Sequence, residues 1–300
     1  MQESPQWKGK TGGGVLGQQG LIFFFKFLNL RMGYFVMTLV VPFYMLFSYT
    51  NSKIIYQFFR KRMGATPWRS FAGTCRNHYV FGQIILDRFV LFAKGQSPFE
   101  LEVTGNEHFT RLINGEKGFL IAGSHIGNFE IAGYLLRQEK KKINALVYAG
   151  ETETVRRHRE KILKNNHIHL IPVMDDMSHL FAVHTALRNG EVVTIPSDRM
   201  LGSHKSLTCN FLNGEADFPI GTFSLAVALE VEALSVFAIK TSDKKYTVYV
   251  KPVKTDVREA DTITRQERIA GYVRSYVSDV ETIVRRYPEQ WFNYYEFWKA

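Results

Sequence analysis

A short segment in the first half of the chain places a histidine and a glutamate where they can support proton transfer. It runs Gly123-Ser124-His125-Ile126-Gly127-Asn128-Phe129-Glu130 and directly follows the apolar residues 118–122. Imidazole has an ordinary pKa close to neutral pH, and a carboxylate bonded to one ring nitrogen leaves the other nitrogen as a base. His125 and Glu130 can therefore take a proton from a hydroxyl or amine that a substrate supplies.

The residues between this histidine and glutamate decide whether the two side chains can meet. In one continuous helix, side chains five positions apart point about 140° apart around the axis. Gly127 permits an unusual backbone angle, and Asn128 is a favoured residue at a helix N-terminus. We therefore expect His125 to precede a helix and Glu130 to lie in its first turn, where helix amides can stabilise an oxyanion. By spacing alone, a structural role for the pair is equally compatible.

Strands alternate with helices around this segment. Short apolar runs predict strands at residues 99–104, 118–122, 143–148, 168–173, 191–195, 233–239 and 246–250. Helical spacing predicts helices at residues 68–95, 128–138, 152–164, 177–188, 221–230 and 262–286. The alternation predicts an α/β fold with a mixed, mostly parallel sheet covered by helices on both faces. His125 then lies at a strand end, where ligands commonly bind in such sheets.

The N-terminal part of the chain is apolar and rich in aromatic residues over positions 21–49, with interruptions at Lys26, Arg31 and Pro42. Its most apolar part, residues 33–49, is 17 residues without a charge, the lower limit for crossing a bilayer core of about 30 Å. We therefore predict an N-terminal hydrophobic membrane-binding helical segment over residues 1–64 and a catalytic domain over residues 65–300. Whether the apolar stretch spans the bilayer or lies at its interface stays open, as does a buried helix of a soluble protein.

Charge and metal-ligand patterns narrow the range of partners. The net charge of +10 favours an acidic partner, such as an anionic membrane, nucleic acid or an acidic carrier protein. Cys75 and Cys209 are too far apart in sequence to suggest a disulfide framework. His179 and His184 fall on different faces of a predicted helix, so no metal site is predicted.

One predicted helix, over residues 152–164, is strongly basic. Its Arg156, Arg157 and Arg159 are candidates for docking an acidic carrier protein or anionic lipid headgroups. The alternative is an ordinary solvated helix face.

Four segments, in order, resemble motifs of the lysophospholipid acyltransferase superfamily. The segment from His125 to Glu130 resembles the first motif. Its glutamate, where an aspartate is the alternative, is similar to the residue at this position in the bacterial lipid A biosynthesis (late) acyltransferase branch. The other three are Ile195-Pro196-Ser197-Asp198-Arg199, Phe211-Leu212-Asn213-Gly214 with Phe218-Pro219-Ile220-Gly221, and Tyr287-Pro288-Glu289-Gln290-Trp291-Phe292 with Trp298.

This resemblance implies a membrane-associated acyltransferase with His125 as general base and Glu130 as its orienting carboxylate. It implies an acyl-acyl carrier protein or acyl-CoA donor, no metal or other cofactor, and no nucleic-acid partner. A lipid acceptor is expected, at the cytoplasmic face of a bacterial inner membrane. The residues that it assigns to substrate binding are Asn128, Asp198, Arg199, Gly214, Phe218, Pro219 and Gly221.

The sequence also departs from the superfamily pattern. Ile220-Gly221-Thr222-Phe223 stands where glycerophosphate-type members carry Glu-Gly-Thr-Arg, which disfavours a lysophosphatidate acceptor. The lipid A branch usually has more acidic residues around its second motif, whereas Arg199 directly follows Asp198 here. The acceptor is therefore either lipid A-type or another lipid, such as an aminoacyl lipid or a pigment headgroup. Two other functions stay open: a lipid hydrolase or thioesterase with Ser124 as nucleophile, and a non-enzymatic membrane-binding protein.

Overall fold

A seven-stranded sheet forms the centre of the molecule. The computed structural model describes residues 30–94, 98–129, 131, 140–148, 168–174, 176, 178–200, 205–255 and 263–299. Its strands are β1 (Glu100–Thr104), β2 (Phe119–Gly123), β3 (Ile143–Tyr148), β4 (Ile168–Val173), β5 (Val192–Pro196), β6 (Ser206–Asn210), β7 (Glu215–Pro219), β8 (Ala233–Ser242) and β9 (Lys245–Val253). The order across the large sheet is β1-β9-β8-β2-β5-β3-β4, and β6 and β7 form a separate hairpin.

The large sheet is mixed but mostly parallel, as predicted. Only the pair β8–β9 is antiparallel, since the two strands are joined by a tight turn at Asp243 and Lys244. The pairs β1–β9, β2–β8, β2–β5, β3–β5 and β3–β4 are parallel. The C-terminal ends of β2 and β5 therefore meet at the same edge of the sheet.

Seven α-helices lie within the described ranges. They are α1 (Leu30–Phe47), α2 (Tyr49–Lys61), α3 (Pro67–Lys94), α4 (Asn106–Asn114), α5 (Ser178–Arg188), α6 (Gly221–Leu229) and α7 (Arg265–Arg286). Helix α7 begins with a capping box, because the Thr264 hydroxyl accepts from the Glu267 amide and the Glu267 carboxylate accepts from the Thr264 amide. The predicted helix over residues 152–164 lies outside the described residues.

Alternation of side chains along the strands gives the sheet a hydrophobic core on each face. On β2, Leu120 and Ala122 belong to the larger core, whereas Phe119 and Ile121 belong to the other. Residues of α2, α5, α6 and α7 pack in the larger core, and residues of α3 and α4 pack in the smaller one. The predicted covering of both faces by helices is therefore confirmed.

The N-terminal helices α1 and α2 differ in their surroundings. Helix α1 is long and apolar enough to cross a membrane by length and composition, and its Phe43 and Phe47 are 64% and 90% exposed. Helix α2 instead buries Ile55, Phe58 and Phe59 in the larger core. Residues 49–61 are therefore integral to the packing of the sheet domain, although the predicted boundary at residue 64 groups them with the membrane segment.

The hairpin β6–β7 and helix α4 have no counterpart among the elements predicted from the sequence. The hairpin turns through Leu212 and Asn213, which both have positive φ angles. Pro219 ends β7, and α6 begins two residues later at Gly221. The segment Phe218-Pro219-Ile220-Gly221 is therefore the connection between a strand and a helix.

Candidate active site

The segment that contains His125 forms a loop at the C-terminal end of β2. The C-terminal segment holds it from one side, where the Gly127 amide donates to the Gln290 carbonyl at 2.9 Å and the Phe292 amide donates to the His125 carbonyl at 3.0 Å. Strand β8 holds it from the other side, where the Asn128 amide donates to the Ala238 carbonyl at 2.7 Å. Because three backbone bonds fix residues 125–128, the imidazole is attached to a rigid support. We call residues 124–128 the catalytic loop, after the proton-transfer role predicted for His125.

Asn128 caps the helix that follows, as its position predicts. Phe129 and Ile131 are helical, and the Asn128 side-chain oxygen accepts from the Ile131 amide at 3.2 Å. The Asn128 amide group also donates to the Tyr246 hydroxyl at 3.4 Å. Asn128 is buried, so its side chain is used within the protein. Glu130 lies outside the described residues, and its role as the orienting carboxylate stays a prediction.

The carboxylate that the structure brings to His125 belongs to Asp198. Asp198 Oδ1 lies 2.8 Å from His125 Nδ1, and its Oδ2 accepts from the His125 backbone amide at 2.8 Å. The contact follows from the sheet, because β2 and β5 are parallel neighbours and Asp198 comes two residues after β5 ends. The family resemblance implies substrate binding for Asp198. Its two oxygens instead both bond to His125.

The charge of Asp198 determines where the proton of the imidazole lies. Burial alone raises the pKa of Asp198, but the charge of His125, its hydrogen bonds and the charge of Arg199 together lower it to about 2. Asp198 is therefore ionised at neutral pH and can only accept hydrogen bonds. His125 Nδ1 must then carry the proton, which leaves Nε2 with a free lone pair. The side chain of His125 remains partly exposed.

Arg199 connects the end of β5 to the C-terminal segment. Its Nε donates to the Asn293 side-chain oxygen at 2.7 Å, and a terminal nitrogen donates to the Phe292 carbonyl at 2.8 Å. The guanidinium also lies over the Tyr295 ring. Since the Phe292 amide donates to the His125 carbonyl, Arg199 supports the catalytic loop indirectly, through Phe292. These contacts occupy the group that the sequence assigned to substrate binding.

The remaining residues predicted to bind substrate lie in and beside the hairpin. Phe218 is fully buried and its ring packs against Phe211 and Phe297. Gly214 lies against the guanidinium of Arg62, which would have to move to make room for a larger side chain. Gly221 is exposed at the start of α6, and the next residue, Thr222, bonds to Ser197 at 2.8 Å between their hydroxyl oxygens. Thr222 thereby links this segment to the residue that precedes Asp198.

Two further residues of the site are a tyrosine of α7 and the serine before the histidine. The Tyr276 hydroxyl donates to the Gly123 carbonyl at 2.6 Å. Burial, and to a lesser extent the negative charge of Asp198, raises the pKa of Tyr276. The sequence showed Tyr276 only as one apolar position of an amphipathic helix. Ser124 is buried, and its hydroxyl has no hydrogen-bond partner among the described residues. Within those same residues, no group of three or more His, Cys, Asp or Glu side chains could hold a metal ion.

The conformation of Gly127 is required for the loop to close. Its φ is +62°, and a Cβ atom there would collide with the Ala238 carbonyl oxygen, the acceptor for Asn128. We expect Gly127→Ala to lower the free energy of unfolding by at least about 2 kcal/mol. Denaturant unfolding measures this change. Gly221→Ala is the matched control, since nothing lies within 4 Å of its added Cβ, and a loss of equal size there would contradict the prediction.

The family model described as bacterial lipid A biosynthesis acyltransferase matches residues 76–300. Among solved structures, the chain is similar to the 1-acyl-sn-glycerophosphate (LPA) acyltransferase PlsC from Thermotoga maritima, with 13% identity and a TM-score of 0.36. That similarity covers 87% of this chain and 98% of the other. No curated protein sequence matches the chain.

Proposed function

The chain belongs to the bacterial lipid A biosynthesis acyltransferase family, and from this premise we propose that it acylates a bacterial membrane lipid from a thioester donor. Membership of the family makes it an acyltransferase that acts on lipids. The finer proposal is that the donor is acyl-acyl carrier protein or acyl-CoA and that the acceptor offers a hydroxyl or amine. The observation that supports this chemistry best is the pair of His125 and Asp198 at the end of β2, with Nε2 left as a base.

In the proposed mechanism, His125 Nε2 takes the proton of the acceptor as its oxygen or nitrogen attacks the thioester carbonyl. Asp198 stabilises the imidazolium that forms, because its carboxylate lies 2.8 Å from Nδ1. The tetrahedral intermediate then collapses, the C–S bond breaks, and the leaving thiolate takes the proton from the imidazolium. The N-terminus of the helix that begins at Phe129 favours negative charge on the oxyanion.

The direct test is an assay of the purified full chain with two donors, acyl-acyl carrier protein and acyl-CoA, and a bacterial membrane lipid extract. We expect mass spectrometry to find an acceptor lipid heavier by one acyl chain and a free thiol in equal amount. Free fatty acid without an acylated lipid would instead support the hydrolase alternative. Ser124→Ala separates the two, since transfer should survive it, whereas a serine hydrolase would lose all activity.

Donor docking is proposed to use the basic residues Arg156 and Arg159, which lie outside the described residues. Because an acyl carrier protein is acidic, charge complementarity should mainly raise the rate of encounter and weaken with salt. We expect the double variant Arg156→Glu/Arg159→Glu to raise KM for the carrier-linked donor and leave a short carrier-free thioester unaffected. Arg188→Glu, an exposed arginine of α5, is the control. Equal losses with both donors would refute a docking role.

Membrane association is the second part of the proposal, and the distribution of charge supports it. Residues 4–86 contain no aspartate or glutamate, and their basic residues are Lys8, Lys10, Lys26, Arg31, Lys53, Arg60, Lys61, Arg62, Arg69 and Arg76. These ten cations equal the net charge of the whole chain, +10. An apolar helix followed by basic residues suits an anionic membrane surface. We propose on this basis that the protein lies at the cytoplasmic face of the inner membrane.

The exposed face of α1 provides a test that keeps the core intact. Deleting residues 1–60 would also remove the buried Ile55, Phe58 and Phe59, so substitution is the sharper approach. We expect Phe43→Ser/Phe47→Ser to reduce sedimentation with anionic vesicles at least tenfold, since each buried aromatic side chain contributes about 2 kcal/mol. Phe181→Ser, which changes a 79% exposed residue of α5, is the control. Undiminished sedimentation of the double variant would show that α1 is not the main membrane contact.

A further inference from the structure

A buried ion pair joins helix α3 to strand β8. Lys240 Nζ is 2.6 Å from Asp87 Oδ2, and the two side chains are 4% and 0% exposed. The hydroxyl of Tyr34 donates to Asp87 Oδ1, and that of Tyr246 donates to Oδ2. Lys240 Nζ also donates to the Tyr34 hydroxyl at 2.8 Å and to the Asp243 carbonyl at 3.2 Å. We call Tyr34, Asp87, Lys240 and Tyr246 the Asp87 cluster.

The Asp87 cluster joins four elements at one point. Tyr34 comes from α1, Asp87 from α3, Lys240 from β8 and Tyr246 from β9. Aromatic rings surround the ammonium group, and Lys240 Nζ lies 4.9, 5.4 and 5.1 Å from the ring centroids of Tyr34, Phe99 and Tyr246. The exposed apolar helix is thus tied directly to the central sheet.

Two links run from the Asp87 cluster to the catalytic loop. In the first, the Tyr246 hydroxyl accepts from the Asn128 side chain, which caps the helix after His125. In the second, the Lys240 backbone exchanges two hydrogen bonds with the Gln290 side chain, at 3.0 Å and 2.7 Å. The Gln290 carbonyl in turn accepts from Gly127. Hydrogen bonds of side chains and of the backbone therefore connect the Asp87 cluster to the catalytic loop.

Stability alone does not account for a buried ion pair in this place. Removing two charges from water is costly, and apolar residues of similar volume are often as stable or more so. Burial raises the pKa of Asp87 and lowers that of Lys240, while their mutual attraction opposes both shifts. The pair instead fixes the relative positions of the elements around it, because each of its hydrogen bonds holds a neighbouring element in place. Among the parts of the fold held in this way, the one that contains His125 is the catalytic loop.

We propose that the Asp87 cluster positions the catalytic loop, and that Tyr246 is the positioning residue that acts on it through Asn128. The proposal rests on the proposed function of His125 as a base. None of the four residues contacts His125 in the described structure, so their effect is on the orientation of the loop. Loss of the cluster should therefore lower turnover and leave the binding of donor and acceptor unchanged.

Tyr246→Phe tests the proposal with a minimal change, since it removes one hydroxyl and keeps the ring. The matched control is Tyr249→Phe on the same strand, where the lost hydroxyl lies 2.7 Å from that of Tyr287. We expect Tyr246→Phe to reduce kcat about fivefold, the effect of one lost hydrogen bond, with KM unchanged. Tyr249→Phe should lower the unfolding midpoint by about as much as Tyr246→Phe does, and it should leave kcat unchanged.

Hydrogen exchange provides a second measurement that does not depend on activity. Backbone amides of residues 124–129 should exchange several-fold faster in Tyr246→Phe than in the wild type, and at the wild-type rate in Tyr249→Phe. Equal effects of the two variants on kcat and on exchange, or no effect of Tyr246→Phe on either, would overturn the proposal. If the wild type turned over none of the donors, the proposed function would fail, and exchange at the loop would decide on positioning alone.

Discussion

His125→Ala is expected to reduce kcat for acyl transfer by about 10²–10⁴-fold, the range for loss of a general base. The reason is that no other described side chain is placed to take the acceptor proton at the end of β2. Rates should be measured with saturating donor and acceptor, so that the loss appears in kcat. His184→Ala, which removes an exposed histidine of α5, should leave kcat unchanged.

Folding of this variant must be checked separately, because removing the imidazole leaves the buried Asp198 carboxylate without its ring partner. His125→Gln is the second variant, since its amide can still donate to Asp198 but cannot serve as a base. Both variants should lose activity, and His125→Gln should retain more of the wild-type stability. Turnover within a few-fold of the wild type in either folded variant would end the proposal that His125 is the base.

Asp198→Asn is expected to lower kcat by a similar factor, about 10²–10⁴-fold. An asparagine can donate a hydrogen bond to His125 Nδ1, which favours the tautomer with its proton on Nε2. The base is then blocked, although the geometry of the loop is kept. The sequence predicts a smaller, partial loss for Glu130→Gln, because a carboxylate that only orients the ring leaves the base in place. Comparison of the two variants shows which carboxylate controls the tautomer, and a greater loss in Glu130→Gln would assign that role to Glu130.

Asp198 also predicts how stability depends on pH. Its folded-state pKa, about 2, lies below the ordinary value of 3.8, so the unfolded chain binds the proton more tightly. This group therefore stabilises the fold above about pH 4, and its contribution, on the order of 2 kcal/mol, is lost as the pH falls through about 2. Unfolding free energies measured from pH 6 to pH 2 should decline less steeply for Asp198→Asn. Parallel declines would contradict this account.

The local features of the site could be predicted from the sequence because they depend on adjacent residues. A buried strand, a glycine and a capping asparagine are sufficient to place His125 between β2 and a helix. The partnership with Asp198 depends on a different property, the adjacency of β2 and β5 in the sheet. Periodicity shows that both residues follow strands, but it does not show which strands are neighbours. For Asp198 the family resemblance implies substrate binding, and periodicity does not indicate its bond to His125.

The same limit applies to the Asp87 cluster and to the hairpin. Asp87 follows apolar residues in a helical pattern, and nothing nearby in sequence indicates the lysine and tyrosines that surround it in the fold. Strands β6 and β7 are five residues each and include polar side chains, so their alternation is too weak to distinguish them from a loop. Pairing between them provides the stabilisation that their own residue preferences lack.

The contact between Phe292 and His125 has a consequence for how the protein is made. Ribosomes add about 5–20 residues per second, so the loop residues emerge roughly 10–30 s before the residues that hold them in place. The apolar helix α1 is synthesised before either. On the proposed membrane role of α1, a nascent chain would be tethered to the membrane well before its histidine has a fixed orientation. The order of synthesis would then delay activity until the chain lies at the membrane that holds the proposed lipid acceptor.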